Sequence, residues 1–378
     1  MFRISEFNFE FTIDIPIKFS ILTHMPDSSA PKIKNPPDNS LLNSLHKVTI
    51  IYNKVNSLSG GEPSDILADE DTVKTAQSIK DTLEKDGIKT ELFEVREDNF
   101  TDLLNYNTDL FFNICYGIGS IPKTEQEIPK LLDQTAIPYT GASSDSIKLT
   151  TDKVATKRIF RKEKIPTPKY QLFKNINDKL TDKLQFPLIV KPQMEDCSLG
   201  IHNDAVVNDE KKLMKKVLQL YQEYKQPILV ERFINTRELN VTIIGNGSKL
   251  EVLPISEIIF GPSFESDNRW KIVDFEAKWL ENTDNYKDTV GVCPAKLDQD
   301  IEDLITKYSI MAYKACNCRD YARIDIRLDE DNIPYFLELN LNPGIGPQDG
   351  AIRSAKVAGY TYSSFLKKLI EIALARYN

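Results

Sequence analysis

The chain has 378 residues, and its 56 acidic and 48 basic side chains give a net charge of −8. At roughly 150 residues per domain this length predicts two or three domains, and the hydrophobic content of 41% is sufficient for their cores. The negative charge argues against a nucleic-acid partner, because nucleic-acid-binding proteins usually present a basic face. The only basic run, residues 211–216 (KKLMKK), is interpreted as the solvated face of a helix.

Cysteine and histidine are too few and too scattered for several common kinds of site. Five cysteines form an odd set, which argues against a secreted disulfide framework and favours a reducing compartment. Three histidines leave little material for a histidine triad or a zinc cluster. No apolar run reaches the roughly 18–20 residues that cross a bilayer, and Glu6, Glu10 and Asp14 interrupt a would-be signal peptide. We therefore expect a soluble, cytoplasmic protein with no membrane partner.

The first part of the chain reads as an arm followed by a parallel-sheet domain. Residues 26–44 are rich in Pro, Ser and Asn, which is typical of a linker, and the folded body is expected to begin at Lys47. Apolar runs at residues 48–52, 92–95 and 110–114 predict strands, and a helical pattern over residues 73–83 ends near Gly87. Strands alternating with helices predict a small parallel sheet, with a ligand site at the loops of residues 52–64 and 113–120.

The rest of the chain predicts a mixed α and β region. Helices are expected at residues 144–164, 209–225 and 362–376, and strands at 188–191, 228–231, 238–244, 250–259, 321–328 and 335–341. The predicted division is an N-terminal extension (1–46), a parallel-sheet domain (47–143), a small central domain (144–234) and a C-terminal antiparallel-sheet domain (235–378). The fold class is therefore α/β, and α+β in part.

Polar residues alternate along two neighbouring predicted strands. Because strand residues two apart share a face, Arg323 and Asp325 lie on one side, as do Glu338 and Asn340. The short turn at residues 329–332 can join the strands as a hairpin, so the two polar faces become one, while Ile324, Leu337 and Leu339 face the core. Two carboxylates and an amide oxygen suit magnesium held jointly with phosphate oxygens. The alternative is a solvated hairpin with ordinary salt bridges.

A series of cations could bind phosphate, although any one of them could equally be a surface residue. The series is Lys153, Lys191, Lys278 and Arg323. Lys191 ends an apolar strand and is followed by Pro192 and a loop of small residues ending at Gly200. A cation in that position, with Ser198 in the loop, is a plausible clamp for a triphosphate.

The order of these motifs resembles the ATP-grasp superfamily and, within it, the D-alanine–D-alanine ligase group. The resembling segments are residues 151–157 (TDKVATK), 190–192 (VKP), 195–201 (EDCSLGI), 230–234 (VERFI), 237–239 (REL), 276–278 (EAK), 321–325 (YARID) and 338–344 (ELNLNPG). Residues 112–114 (FNI) and 126–129 (QEIP) resemble a divergent branch of that group.

The resemblance implies a three-domain ATP-grasp fold, in which residues 47–143 form a Rossmann-like domain, residues 144–234 a small lid domain and residues 235–378 the catalytic domain. It also implies a role for each matching residue. The implied ATP-binding residues are Lys153, Lys191, the adenine hinge Glu231, Arg232, Phe233 and Ile234, the ribose ligand Glu238, and Lys278 and Leu337. The implied ligands of two magnesium ions, or of manganese, are Asp325, Glu338 and Asn340. The implied catalytic residues are Arg323, Lys278 and Ser198.

The implied substrate pocket departs from the group's pattern. Its residues are Glu70 or Asp71, Cys197, Trp279, Arg323, Asn340, Gly344 and Asp349. Cys197 replaces a serine, Trp279 a tyrosine, and Asp349 the serine that holds the second substrate's carboxylate. Because Asp349 would repel a carboxylate, we expect an acceptor with a second amine, or one whose carboxylate is absent or turned elsewhere. The alternative is that Asp349 faces solvent or pairs with Arg353, four residues further on.

The function implied is an ATP- and magnesium-dependent ligase that joins a carboxylate to an amine through an acyl phosphate, releasing ADP and phosphate. The expected partners are small molecules, amino acids or related compounds, and the chain is expected to be a homodimer or a monomer. Two alternatives remain: a phosphotransferase that forms no amide, and a nucleotide-binding scaffold without catalysis. The first would commonly use a histidine, and none lies in the motifs; the second would commonly lose metal carboxylates or Arg323, and these are present.

Overall fold

The computed structural model describes residue 37 and residues 39–42, 45–55 and 67–377, with the backbone alone for residues 39 and 67–70. The helices are α1 Asn39–Leu42, α2 Leu67–Lys85, α3 Glu127–Leu132, α4 Ser144–Thr151, α5 Lys153–Lys162, α6 Glu210–Tyr224, α7 Ser263–Ser266, α8 Phe275–Trp279, α9 Asp284–Lys287, α10 Gln299–Ala315, α11 Gly350–Val357 and α12 Tyr362–Leu374. The strands are β1 Lys47–Asn53, β2 Lys89–Val95, β3 Leu110–Asn113, β4 Tyr170–Phe173, β5 Leu188–Pro192, β6 Val206–Val207, β7 Ile228–Arg232, β8 Arg237–Asn246, β9 Lys249–Val252, β10 Ser256–Phe260, β11 Thr289–Val292, β12 Tyr321–Leu328 and β13 Pro334–Leu341.

The first sheet is parallel, in the order β2-β1-β3. Its apolar strands bury Val48, Ile50 and Phe112 against α2 and α12, which confirms the alternating strand and helix pattern predicted from the sequence. Helix α2 ends at Lys85, and Gly87 follows with φ of 84°, a left-handed conformation that glycine adopts without strain. The ends of β1 and β3 lead into the segments on which the ligand was predicted to bind.

A second, four-stranded antiparallel sheet has the order β4-β7-β5-β6. The amphipathic helix α6 covers one face and buries Leu213, Val217 and Leu220, while its lysines lie mostly on the other side. This confirms the interpretation of residues 211–216 as a helix face, with one exception: Lys216 is buried and pairs with Asp204.

The third sheet is antiparallel, in the order β11-β10-β8-β12-β13, with β9 paired to β8. The predicted hairpin is present, and Asp325 lies opposite Glu338 and Arg323 opposite Asn340. The register shifts between Asp325 and Ile326, so Ile326 pairs with Phe336 and Leu337 has no partner. The prediction that Leu337 faces the core is therefore wrong: the bulge moves it to the polar face, and Phe336 is buried instead.

The single helix predicted over residues 144–164 is two helices, α4 and α5. Asp152 lies between them with an extended backbone, and its carboxylate accepts hydrogen bonds from the amides of Val154 and Ala155. An aspartate that caps the next helix competes with continuation of the previous one, which explains the break. Both helices pack against β13 of the third sheet.

The N-terminal residues enter the described structure at α1, where Leu42 is buried in the core of the first sheet. Residues 1–36, which make up most of the predicted extension, and residues 56–64 of the first predicted ligand loop lie outside the described residues. The predicted domain boundaries at residues 46, 143 and 234 remain a prediction. None of the described helices combines the length and the apolar character that a membrane span requires.

Candidate functional site

A cavity of about 710 Å³ lies where the three sheets meet. Its walls come from the start of α2, the segment after β3, the loop between β5 and β6, helix α8, the polar face of β8, β12 and β13, and the start of α11. Fourteen of the predicted site residues line it: Asp71, Lys191, Cys197, Ser198, Glu238, Lys278, Trp279, Arg323, Asp325, Leu337, Glu338, Asn340, Gly344 and Asp349. Glu70 belongs to α2, and its side chain lies outside the described structure.

The polar hairpin face is held together by hydrogen bonds to Asp325. Arg323 donates from Nε and Nη2 to the two carboxylate oxygens, at 2.8 and 2.9 Å. Asn340 donates its Nδ2 to Oδ2 at 2.8 Å, and Asn240 of β8 donates to Oδ1 at 2.7 Å. Asn340 bonds to Asp325 through its amide nitrogen and not through its amide oxygen. Strand alternation thus brings the predicted residues onto one face of the cavity.

Glu338, beside Asp325, is surrounded by cations. Its Oε2 lies 3.7 Å from Lys153 Nζ and 4.0 Å from Lys191 Nζ. Burial alone would raise the pKa of Glu338, but Lys153, Lys191 and Arg323 lower it to about 2. The carboxylate is therefore ionised at neutral pH and available to a cation.

The oxygen donors of this face fit magnesium by their chemistry. Asp325 and Glu338 face each other across the hairpin, and Asn340 adds an amide oxygen. In the described part of the chain, no three His, Cys, Asp and Glu side chains converge on one point. A cation would therefore complete its coordination with oxygens from a bound ligand or water, as magnesium at triphosphate sites does.

The predicted phosphate-binding lysines lie below the cavity surface. Lys153 is 3% exposed, forms an ion pair of 2.6 Å with Asp196 and also donates to the carbonyl of Glu195. It lies behind the lining residues Asp196 and Glu338. Lys191 lines the cavity and pairs with Glu231 at 2.7 Å. Both lysines therefore have carboxylate partners in this state.

Glu231 lies between two lysines in the interior. Its Oε2 is 2.7 Å from Lys157 Nζ, and the three side chains of Lys157, Lys191 and Glu231 are 0–6% exposed. Burial lowers the pKa of Lys157 to about 8, with Glu231 opposing and Lys191 adding to that decrease. Burial raises the pKa of Glu231, but the two lysines reverse this and leave it below its usual value. The Glu231 side chain thus neutralises Lys157 and Lys191, the second of which is a predicted phosphate ligand.

None of the four residues of the predicted adenine hinge, residues 231–234, lines the cavity with its side chain. Phe233 and Ile234 are buried, and Arg232 is exposed with its guanidinium 5.6 Å from the centre of the Tyr335 ring. Glu238, the predicted ribose ligand, does line it and pairs with Arg327 at 2.5 Å. Burial raises the pKa of Glu238, and Arg327 counteracts this effect.

The loop between β5 and β6 contacts helix α8. Cys197 and Ser198 have φ of 56° and 63°, a conformation that side chains other than glycine seldom adopt. The hydroxyl of Ser198 donates to the carbonyl of Val273 at 2.9 Å, and Nε1 of Trp279 donates to the carbonyl of Cys197 at 3.3 Å. The ammonium group of Lys278 lies 5.0 Å from the centre of the Trp279 ring. The predicted phosphate loop is therefore in contact with the helix that carries Lys278 and Trp279.

The far end of the cavity contains Asp71 and Asp349. Burial, followed by the charge of Asp71, raises the pKa of Asp349, and the amide of Gly346 partly offsets this by donating to Oδ2 at 2.6 Å. A Cβ atom at Gly344 would lie 2.7 Å from the same Oδ2, so residue 344 must be small while Asp349 keeps this position. The alternative pairing of Asp349 with Arg353 is not seen among the described residues, and Arg353 donates its Nε to the hydroxyl of Ser256.

Sequence reasoning missed several residues that complete the cavity. They are Glu125, Asp196, Asn240, Arg327 and Arg353. Asn240 and Arg327 could have been found by extending the strand alternation from Glu238 and Asp325. The others depend on contacts between distant segments. Burial raises the pKa of Glu125 to about 8, with Asp196 adding to the increase, so Glu125 retains its proton at neutral pH.

Comparisons with known proteins agree with this architecture. Residues 158–371 match the family model of the D-ala D-ala ligase C-terminus. The uncharacterized protein y4sG of Sinorhizobium fredii is 34% identical over 277 residues, 73% of this chain and 78% of that protein. The D-alanine–D-alanine ligase of Bordetella pertussis is 28% identical over 328 residues, 86% of this chain and 96% of the relative.

Solved structures give the same result. A crystal structure of D-alanine–D-alanine ligase from Bacillus anthracis has a TM-score of 0.70 at 25% identity, covering 88% of this chain and 98% of that one. A structure of the Bacillus anthracis ligase complexed with ATP has a TM-score of 0.69 at 23% identity, with the same coverage. The family model matches more than half of the chain, which shows that the chain belongs to the D-alanine–D-alanine ligase family of ATP-grasp proteins.

Proposed function

We propose that the protein is an ATP- and magnesium-dependent ligase that joins the carboxylate of one small molecule, an amino acid or a related compound, to the amine of another. The observation that carries the proposal is the convergence, in one cavity, of an oxygen-rich hairpin face with Lys191 and Arg323. Lys153 lies directly behind that face. Anionic oxygens that bind a metal, next to cations that bind phosphate, are what a triphosphate requires.

The nucleotide lies along the hairpin face. When ATP binds, Lys153 turns in part from Glu338, and Lys191 in part from Glu231, to phosphate oxygens. Both lysines therefore keep an anionic partner. Glu238 accepts from the ribose hydroxyls, and Leu337, brought into the cavity by the bulge, packs against the base. Because the side chains of residues 231–234 point elsewhere, this hinge contacts adenine through its backbone.

Asp325, Glu338 and the amide oxygen of Asn340 would hold magnesium, with two ions as the proposed number and manganese as an alternative. When bound, the metal would offset the charge of the triphosphate and polarise its γ-phosphoryl group. The low pKa of Glu338 supports this assignment, since the carboxylate is ionised before any cation binds. Asp325 keeps Arg323 oriented toward the cavity through two hydrogen bonds.

The reaction proceeds in two displacements. The donor carboxylate attacks the γ-phosphorus, the bond to the bridging oxygen breaks, and ADP leaves behind an acyl phosphate. The acceptor amine then attacks the acyl carbon, and phosphate leaves as the amide forms. Arg323 stabilises the charge on the transferring phosphoryl group and then on the tetrahedral intermediate. Lys278, on the short helix α8, binds the γ-phosphate, and Ser198 orients the loop above it.

The donor lies between the 195–201 loop and α2. Cys197 and Trp279 form its wall, joined by a hydrogen bond from the indole to the Cys197 carbonyl. Asp71, or its neighbour Glu70, accepts from the donor's ammonium group. Asn340, Gly344 and Asp349 border the acceptor. The altered pocket supports substrates other than a pair of D-alanine molecules.

The test is ADP release by the full chain with ATP and magnesium, measured over a panel of L- and D-amino acids singly and in pairs, with mass spectrometry of the products. The proposal expects ADP only with a donor present and a product whose mass is the sum of two substrates less water. A phosphorylated product from a single compound, with no condensed product from any pair, would indicate the phosphotransferase. ATP binding without turnover would indicate the scaffold.

A further inference from the structure

Two oppositely charged side chains border the acceptor end of the cavity and do not pair with each other. Asp349 immediately precedes α11, and Arg353 lies one turn into that helix. Both line the cavity. Among the described residues, the side-chain hydrogen bond shown for Arg353 goes to Ser256, and no ion pair joins it to Asp349.

The Arg353 guanidinium is held by a hydrogen bond and fitted against glycine. Its Nε donates to the hydroxyl of Ser256 on β10 at 3.0 Å. A Cβ atom at Gly291 of β11 would lie 2.1 Å from its Cζ, and one at Gly350 would lie 3.3 Å from its Nη2. Any larger residue at position 291 would displace the guanidinium. Its Nη2 therefore lies beside the first turn of α11. Because Nε is engaged with Ser256, the two terminal nitrogens remain as the pair that can bind a carboxylate through two parallel hydrogen bonds.

The start of α11 adds to the positive potential. Asp349 occupies the capping position but makes no side-chain hydrogen bond to the helix, because its Oδ2 accepts from Gly346 instead. The first amides of a helix without a side-chain cap attract anions. An anion beside Arg353 would meet both the guanidinium and these amides, whereas one beside Asp349 and Asp71 would be repelled.

Building on the ligase function proposed above, we propose that Arg353 binds the carboxylate of the acceptor, which is an amino acid carrying a second, protonated amine. The carboxylate points toward Ser256 and Gly291. The second amine faces Asp349, whose carboxylate excludes another carboxylate from its side of the cavity. Arg353 and Asp349 thus recognise the two charged ends of one acceptor.

The experiment compares each acceptor as a free acid and as its carboxamide, using D-alanine, D-lysine and L-lysine with their amides. ADP release and product mass give kcat/KM for each member of a pair in the wild type and in Arg353→Ala, Arg353→Lys and Gly291→Ala. Gly291 has no left-handed φ, so alanine fits its backbone and acts only by displacing the guanidinium. Arg96→Ala, which removes an exposed arginine outside the cavity, is the matched control.

We expect the wild type to prefer free acids, lysine above alanine. Arg353→Ala should reduce the acid-to-amide ratio about 10- to 100-fold, the effect of losing a charged hydrogen bond. Gly291→Ala should reduce it in the same direction, Arg353→Lys should keep part of it, and Arg96→Ala should not change it. An unchanged ratio in both Arg353→Ala and Gly291→Ala, or a wild type that prefers amides, would overturn the inference.

The same panel is titrated calorimetrically in the presence of ADP and magnesium, so that the inference is separated from the ligase function. No condensed product from any pair contradicts the ligase function. If the wild type binds free acids more tightly than amides and Arg353→Ala removes this preference, the carboxylate site is supported even without a condensed product. Binding of the acids and amides with equal affinity refutes that site even in an active ligase.

Discussion

Replacement of Glu231 with glutamine removes the negative charge that pairs directly with both Lys157 and Lys191. Each lysine nitrogen is 2.7 Å from a Glu231 oxygen, and all three side chains are almost completely buried. Removing one partner of a buried pair leaves an uncompensated charge, which typically costs about 3–5 kcal/mol of the free energy of unfolding. For a folded region of this size, the loss corresponds to a decrease in Tm of about 4–7 °C.

The pH dependence of this loss tests its cause. The pKa of Lys157 is about 8 in the folded protein and 10.5 in the unfolded chain, so the folded state binds fewer protons between these values. The stability contributed by this group therefore rises with pH across that window. Without Glu231, Lys157 loses its proton at a lower pH. The loss of unfolding free energy in Glu231→Gln, relative to wild type, should therefore become smaller as pH rises above neutral.

The measurement is the Tm from calorimetric unfolding across that pH range. It compares wild type, Glu231→Gln, Lys157→Met and the double variant. The double variant should be less destabilised than the sum of the single variants, because deleting both members leaves one fewer unpaired charge. A decrease in Tm below about 2 °C for Glu231→Gln at neutral pH, or strictly additive effects, would refute the description of these residues as a coupled buried network.

Four further predictions follow from the site and the chain. Asp325→Asn and Glu338→Gln should abolish turnover while the circular dichroism spectrum stays native, and ordinary product formation by both variants at normal magnesium would remove the metal assignment. Because burial raises the pKa of Glu125 from 4.5 to about 8, the folded state holds one more proton than the unfolded state between these values, and stability should fall with rising pH by up to about 1.4 kcal/mol per pH unit. In Glu125→Gln, urea unfolding at both ends of this pH window should no longer show the fall, and an equal fall in the variant would contradict the prediction. Asp349→Ser should gain activity with D-alanine as acceptor, and unchanged acceptor kinetics would show that Asp349 does not select it. A chain that begins at Met25 keeps Leu42 in the core and should retain activity, so loss of most activity on this truncation would show the deleted residues to be required.

Strand periodicity alone predicted the centre of the site. The alternation of Arg323 with Asp325, and of Glu338 with Asn340, is a local property, and one short turn was enough to place the two faces together. The parallel sheet followed in the same way from alternating strands and helices. These features depend on neighbours in sequence, so a single sequence contains the information.

Leu337, Lys157 and Arg353 show where the sequence was insufficient. A bulge shifts the alternation by one residue, and nothing in the local pattern marks Leu337 as the residue without a partner. The pairing of Lys157 with Glu231 joins α5 to β7 across 74 positions, so no residue near Lys157 in the sequence reveals it. The position of Arg353 depends on two glycines, one of them on β11, whose role is apparent only when the strand lies beside the helix.

Transfer of oxygen from the donor tests the central claim, that ATP activates a carboxylate for attack by an amine. The donor amino acid that supports ADP release is labelled with ¹⁸O in its carboxylate, and the released phosphate is analysed by mass spectrometry. An acyl phosphate requires one labelled oxygen to appear in phosphate for each amide formed, and Asp325→Asn should give neither. Unlabelled phosphate accompanying amide formation, or labelled donor recovered unchanged while ATP is hydrolysed, would contradict the account.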